Sequence, residues 1–247
     1  MNFQFKVIIP SRYASSRLPG KSLLEIAGKP LIQHVYEAAK TSLAERIVIA
    51  TDDERILKVA EKINAEVIMT SSQHSSGTDR LAEAVTLLDE DEDAIIVNLQ
   101  GDEIGMPASL IDQVASALNA NPEKSMATLC EPITNAEDYT DPNIVKVVFD
   151  DRNSALYFSR SPIPWTKQNG VPDGTYRHIG LYAYRCGFLK NFSTTPVCPL
   201  EKSESLEQLR ALYNGDKIHV EVACDHAGFG IDTPEDLEKA RKTFEST

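Results

Sequence analysis

Three cations crowd one short segment near the amino terminus. Ser11–Lys21 reads SRYASSRLPGK and holds Arg12, Arg17 and Lys21, with no acidic residue between Met1 and Leu24. The whole chain of 247 residues carries 25 Lys+Arg against 37 Asp+Glu, a formal net charge of −12. The loop is therefore a local inversion of charge. Guanidinium, ammonium and backbone N–H groups arranged this way suit a polyphosphate; a solvated basic loop is the plain alternative. Pro19 and Gly20 stiffen and sharpen the turn, which a solvated loop would not require. Gly20-Lys21-Ser22 ends like a P-loop, but Ser15 stands where that motif needs its first glycine, and Pro19 removes a backbone donor. A P-loop is excluded. The dinucleotide fingerprint is absent too, since the only GxG is Gly228–Gly230 and Asp232-Thr233-Pro234 follows it.

Acids supply the opposite chemistry. Gln100-Gly101-Asp102-Glu103 follows a β-branched run, so Asp102 could present a carboxylate to a divalent cation; magnesium is usually held by one or two carboxylates plus substrate phosphates. A solvated turn is the other reading. Asp232 is the natural second ligand, or else a helix cap with Glu235 completing a box. His74–Arg80 (HSSGTDR) opens a helix and offers hydroxyls and a helix N-terminus to a base or phosphate, or simple capping. Arg160, His178 and the Glu207-Gln208 pair are polar residues inside largely apolar patterns. Cys198 and Trp165 read as packing or surface.

Positioning these groups requires a scaffold, and the pattern of the first half supplies one. Lys6–Pro10, Arg46–Thr51, Ala65–Thr70 and Ala94–Leu99 are short runs of the kind found in fully buried strands. Pro30–Thr41, Asp53–Asn64 and Thr78–Leu88 place apolar residues at helical spacing between them, with Asp52 available to cap the second helix. Such alternation predicts an α/β protein with a doubly wound, mostly parallel sheet, whose ligands bind beyond the carboxyl ends of the strands. From about residue 125 the rhythm changes. Ser125–Glu131, Ile144–Asp150, Ala155–Ser159 and Arg177–Arg185 are strand-like with few helices between, predicting antiparallel or mixed pairing in a small sheet laid over the main one. A helix over Leu200–Leu212, a strand over Lys217–Ala223 and a helix over Pro234–Phe244 complete the expectation. The whole reads as a single domain over 1–247 with a small lobe inserted at roughly 130–190. The acidic balance argues against nucleic acid as partner, and no apolar run approaches the ~20 residues of a membrane span. Four scattered cysteines and no secretory pattern at the amino terminus point to the cytoplasm.

Taken in order, IIPSRYASSRLPGK, MTSSQHSSGTDR, VNLQGDE, ALYFSRSPIPW, RHIGLYAYR, LEQLRALYNGDKIHV and GIDTPEDLE resemble the 3-deoxy-manno-octulosonate (Kdo) cytidylyltransferase family, from about residue 5 to 241. The resemblance implies a nucleotide-diphospho-sugar transferase fold, a homodimer, Mg²⁺ dependence, and transfer of CMP from CTP to Kdo with release of pyrophosphate for lipopolysaccharide synthesis. It puts Arg12, Arg17 and Lys21 at the CTP phosphates, with Lys21, Arg12 and Asp102 closest to the chemistry. Ser76, Gly77 and Arg80 fall around the nucleotide, and Asp102 and Asp232 on Mg²⁺. Gln100, Arg160, His178, Tyr182, Glu207 and Gln208 line the sugar site, with Arg160 as partner of the sugar carboxylate.

The chain departs from the family at Ser11, at Ser22 and at Ile104, where PAR, GKPL and GDEP are usual, and the stretch between Trp165 and Arg177 is short. Ile104 with Gly105 predicts a looser turn beside the metal ligand. These departures leave open the 8-amino analogue of Kdo, or a capsule-pathway paralogue acting on Kdo itself. Another sugar-acid cytidylyltransferase, such as a sialic-acid enzyme, would share the fold and chemistry, but the RLPGK loop and the YFSR and LEQLR segments disfavour it. A non-catalytic CTP-binding protein is the alternative of a different class.

Overall fold

In the computed structural model, which describes residues 3–14, 18–74, 76–168 and 170–245, nine strands form one sheet. They are β1 (Phe5–Ser11), β2 (Arg46–Thr51), β3 (Glu66–Met69), β4 (Ile95–Asn98), β5 (Met126–Pro132), β6 (Lys146–Phe149), β7 (Ala155–Ser159), β8 (Tyr176–Arg185) and β9 (Ile218–Val222). The order β3-β2-β1-β4 is parallel throughout. β8 then runs antiparallel between β4 and β5, and β9 closes the edge parallel to β5. The antiparallel pair β6–β7 joins the first residues of β8. Mixed pairing after residue 125 is thus present, but it extends the main sheet and forms no sheet laid over it. The reason is that Met126–Cys130 of β5 and Leu181–Tyr184 of β8 are buried, so their backbone N–H and C=O groups need paired neighbours on both edges.

The period-two pattern sorts side chains into two cores. Val7, Ile9, Ile95 and Val97 pack with α1 (Leu31–Lys40), α2 (Glu54–Lys62), α4 (Ala108–Ala120) and α9 (Pro234–Glu245). Ile8 and Ile96 face the other way, onto α3 (Gly77–Leu87), α6 (Cys186–Phe192) and α8 (Gln208–Tyr213). Two short helices, α5 (Ala136–Thr140) and α7 (Pro199–Glu204), lie in connections.

Three local expectations are corrected. The cap of α2 is Asp53, which accepts from Arg55 N, while Asp52 pairs with Arg80. The helix expected over Leu200–Leu212 breaks into α7 and α8 at Ser205, whose φ of 53 is left-handed. No element was expected between Leu99 and Ser125, yet α4 lies there; Leu110, Ile111, Val114, Ala115 and Leu118 carry helical spacing behind Pro107.

A two-stranded ribbon joins distant parts of the chain at one end of the sheet. Glu103–Ile104 pairs antiparallel with Phe229–Gly230, and Ile231 N donates to Asp102 O at 3.0 Å. Ile104 is fully buried, so the turn expected to loosen there is instead a paired strand. Gly228 permits the close approach, because a Cβ on it would lie 2.1 Å from Ile104 O. A Gly228→Ala variant is accordingly expected to lose about 1–3 kcal/mol and to melt several degrees lower in a thermal scan. An unchanged melting temperature would mean that the ribbon is not held by this contact.

Candidate active site

A cleft of about 190 Å³ opens where β1, β4, the ribbon and the N-terminus of α3 converge. Arg12, Lys21, Ser76, Gly77, Arg80, Gln100, Asp102 and Asp232 line it. This is the carboxyl end of the parallel strands, where the topology directs a ligand. Arg17 lies outside the described residues.

Lys21 is the best-positioned of the loop cations. Gly20, left-handed at φ 69, donates its N–H to Tyr13 O at 3.0 Å and opens a single 3₁₀ turn over Lys21–Leu23. Ser11 Oγ donates to Ser22 Oγ at 2.8 Å and ties that turn to the end of β1. From there Nζ reaches Asp102 Oδ2 in a close ion pair, Asp232 Oδ1 at 3.0 Å and Ile231 O at 3.3 Å. Burial works to lower its pKa, but the two carboxylates outweigh burial and hold it above the ordinary lysine value. Neighbouring Glu103 is pushed up as well. Burial and the charges of Asp102 and Asp232 raise its carboxyl to about 7.

Arg12 is exposed at the mouth of the cleft. Arg80 is buried and donates to Asp52 Oδ2 at 2.8 Å and to Thr70 Oγ1, tying α3 to the ends of β2 and β3. Ser76 caps α3, its Oγ accepting from Asp79 N at 3.1 Å, so its backbone and that of Gly77 are what remain for a ligand. The capping box of α9 is built by Thr233 and Asp236, each accepting from the other's backbone N–H. Glu235 is not its partner, and the Asp232 carboxylate accepts from Lys21.

A second, smaller cavity of about 80 Å³ adjoins the first, and Gln100 lines both. Its floor is three paired strands, with Asn98, Tyr182, Tyr184 and Met126 on one face. Thr78, Phe192, Glu207 and Gln208 complete it from the helices. Thr78 donates to Glu207 Oε2 at 2.6 Å, while the buried Oε1 has no hydrogen-bond partner among the described residues. Burial raises the Glu207 carboxyl, offset in part by the Thr78 hydrogen bond. Burial also holds the Tyr182 phenol well above its usual range.

Two residues expected here lie outside both cavities. Arg160 spends its Nε on Glu204 O at 2.7 Å and its Nη1 on Pro142 O at 2.9 Å. Its own carbonyl accepts from the fully buried Lys146, whose ammonium also donates to Asp141 O and Ile144 O. His178 lies behind Tyr182, its ring centroid 5.2 Å from that ring and its Nε2 hydrogen-bonded to Thr128 Oγ1 at 2.9 Å. Thr78, expected with the HSSGTDR hydroxyls at the nucleotide, instead lines this second cavity. Conversely, Asn98, Met126, Tyr184 and Phe192 were not expected at a site, and of these only Asn98 carried a signal, as a polar residue closing an apolar strand.

Comparison with known proteins fits this geometry. A family model described as cytidylyltransferase matches residues 6–218. The 3-deoxy-manno-octulosonate cytidylyltransferase of Hahella chejuensis is 54% identical over 96% of this chain and 96% of its own. That of Pseudomonas syringae pv. syringae is 52% identical over 99% and 100%. A solved structure of CMP:2-keto-3-deoxy-manno-octonic acid synthetase complexed with CTP superposes with a TM-score of 0.91 at 41% identity, covering 99% of both chains. A cytidylyltransferase from Leptospira borgpetersenii shares the fold at a TM-score of 0.66 and 17% identity, over 100% of this chain and 88% of that one. The class is cytidylyltransferase. Within it, this chain belongs to the 3-deoxy-manno-octulosonate cytidylyltransferase family.

The burial of His178 has a measurable consequence. Burial lowers its pKa from 6.5 to about 3, so the folded protein keeps it neutral. Between those values the unfolded chain binds a proton that the folded site refuses, and stability therefore falls as pH drops through 6.5. A His178→Phe variant is expected to lose less melting temperature than the parent between about pH 7 and about pH 5. Equal losses in both would assign the acid sensitivity to other groups.

Proposed function

We propose that this protein transfers CMP from CTP to the anomeric hydroxyl of 3-deoxy-D-manno-octulosonate and releases pyrophosphate. The observation that carries the reading is the pair of adjoining cavities. One has cations and a diacid at its mouth, the other is walled by hydrogen-bonding side chains, and Gln100 lies between them. A triphosphate in the first and a sugar in the second would bring the α-phosphorus and the attacking hydroxyl together near Gln100. Nucleotidyl transfer of this kind gains mostly from positioning and charge neutralisation.

The chain's own groups divide that work. Arg12 and Lys21 offset phosphate charge, and the backbone N–H groups at the start of α3 add donors at a helix N-terminus. Asp102 and Asp232 both reach one ammonium, so a cation already stands between them, and two carboxylates plus substrate oxygens make a fitting magnesium site. Bound there, Mg²⁺ would neutralise phosphate charge and lower the pKa of a coordinated hydroxyl. Asn98 and Gln100 are linked by a 3.1 Å hydrogen bond that fixes the amide between the cavities. Arg160 is retained as the partner of the sugar carboxylate only through the resemblance, since its Nε and Nη1 already serve carbonyls.

A second sugar is favoured by one feature. The buried Glu207 Oε1 accepts no hydrogen bond among the described residues and has the Arg210 guanidinium at 3.6 Å; a sugar hydroxyl would supply the missing donor, and an ammonium would share the carboxylate with that guanidinium. Part of the same proposal is a homodimer, which rests on the family resemblance. A cytoplasmic setting is supported by four free thiols. No helix among the described residues is long and apolar enough to cross a membrane.

The test is pyrophosphate release from CTP and Mg²⁺, run separately with Kdo, its 8-amino analogue and sialic acid. Release with Kdo supports the proposal, and preference for the amino sugar moves the substrate while keeping the chemistry. Silence with all three despite CTP binding overturns it. In the same assay Asp102→Asn is expected to lower turnover by about two orders of magnitude or more with its melting temperature preserved. Activity within a few-fold of the parent at saturating Mg²⁺ would contradict the metal assignment.

A further inference from the structure

Lys21 faces two demands that a single ammonium cannot meet together. An ammonium has three protons to donate, and here all three are taken by Asp102 Oδ2, Asp232 Oδ1 and Ile231 O. A lysine that neutralises a triphosphate must bring those protons to phosphate oxygens instead. A dication held between Asp102 and Asp232 would draw on the same two carboxylates that now accept from Nζ through Asp102 Oδ2 and Asp232 Oδ1. The Lys21 head and the metal therefore compete for the same pair of carboxylates, which converge on a lysine whose side chain is only 12% exposed.

We propose that Lys21 is a built-in counter-ion that closes the metal position in the nucleotide-free protein and hands it over when a triphosphate arrives. This rests on the reading of Asp102 and Asp232 as the metal ligands. Without nucleotide, the ammonium cancels one of the two carboxylate charges and its protons occupy one oxygen of each, so a hydrated dication gains little by entering. Phosphate oxygens entering the cleft draw Nζ off on its flexible four-carbon stem. The carboxylates then regain their full charge at the moment the phosphates need a metal. The start of the stem is fixed by the 3₁₀ turn and by the Ser11–Ser22 hydrogen bond, so the exchange moves the head and leaves the loop in place. Metal then enters with or after the nucleotide, and a metal-loaded, nucleotide-free site is sparsely populated.

The experiment is Mn²⁺ binding to the nucleotide-free protein, followed by the electron paramagnetic resonance signal of free Mn²⁺. Wild type is expected to bind weakly, and Lys21→Met to bind at least about tenfold more tightly, equivalent to about 1.4 kcal/mol. Lys21→Ala serves as a second variant, and circular dichroism melts check that each variant is folded. Adding Asp102→Asn to Lys21→Met should abolish the gain. Arg12→Gln removes the same charge from the same cleft without vacating the position between the carboxylates, and should change affinity by less than about threefold. Equal gains in the Arg12 and Lys21 variants would reduce Lys21 to background charge and overturn the proposal. Wild type and Lys21→Met binding alike, both weakened by Asp102→Asn, would overturn the exchange and leave the metal ligands standing. Binding indifferent to Asp102 in every background would overturn both.

Discussion

Two carboxylates facing one another repel, and the active end of this protein is organised around keeping such a pair together. Asp102 and Asp232 are far apart in sequence, yet both reach one lysine head. Left in water they would separate. The ribbon of Glu103–Ile104 with Phe229–Gly230 prevents that, because its backbone hydrogen bonds and the buried Ile104 place the two acids side by side. Lys21 supplies the charge that makes the arrangement tolerable, and its own ammonium is stabilised in return. Fold, electrostatics and the proposed chemistry meet at this junction.

The rest of the architecture serves it from two directions. Parallel strands β1 and β4 end at the cleft, so the basic loop and the Gln100–Asp102 turn emerge next to each other as a consequence of topology. Gly101 makes that proximity possible, since a Cβ on it would stand 2.9 Å from Pro10 O. The reversed strand β8 then lays Tyr182 directly beside Asn98 and Thr128. A parallel strand in the same slot would need a crossover helix. The reversal instead lets the sheet continue past the nucleotide side and become the floor of the second cavity.

Much of this was legible in the residues. The four parallel strands and their helices followed from short β-branched runs alternating with helical spacing, and the basic loop stood out as a charge inversion. Asp102 and Asp232 could be named because each follows a strand-like run and because the motifs resemble a family in which both are assigned. What could not be read was contact between segments distant in sequence. The ribbon is two residues long on each side, too short for any periodic signal, so Ile104 looked like a loosened turn. Asp52 and Asp53 are adjacent acids, and only the arrival of Arg80 from α3 decides which one caps. Arg160 sits in the motif of a sugar ligand, yet its guanidinium serves two carbonyls that no spacing reveals. Lys146 looked like an ordinary strand residue and is a fully buried ammonium that binds three carbonyls.

The junction of Asp102, Asp232 and Lys21 is most directly tested by an anomalous-difference map from crystals grown with CTP and Mn²⁺. A metal peak in contact with both carboxylates is expected, with Lys21 Nζ displaced from them onto phosphate oxygens. A metal peak away from either carboxylate, or a Lys21 that still bridges the pair with CTP and metal bound, would contradict it.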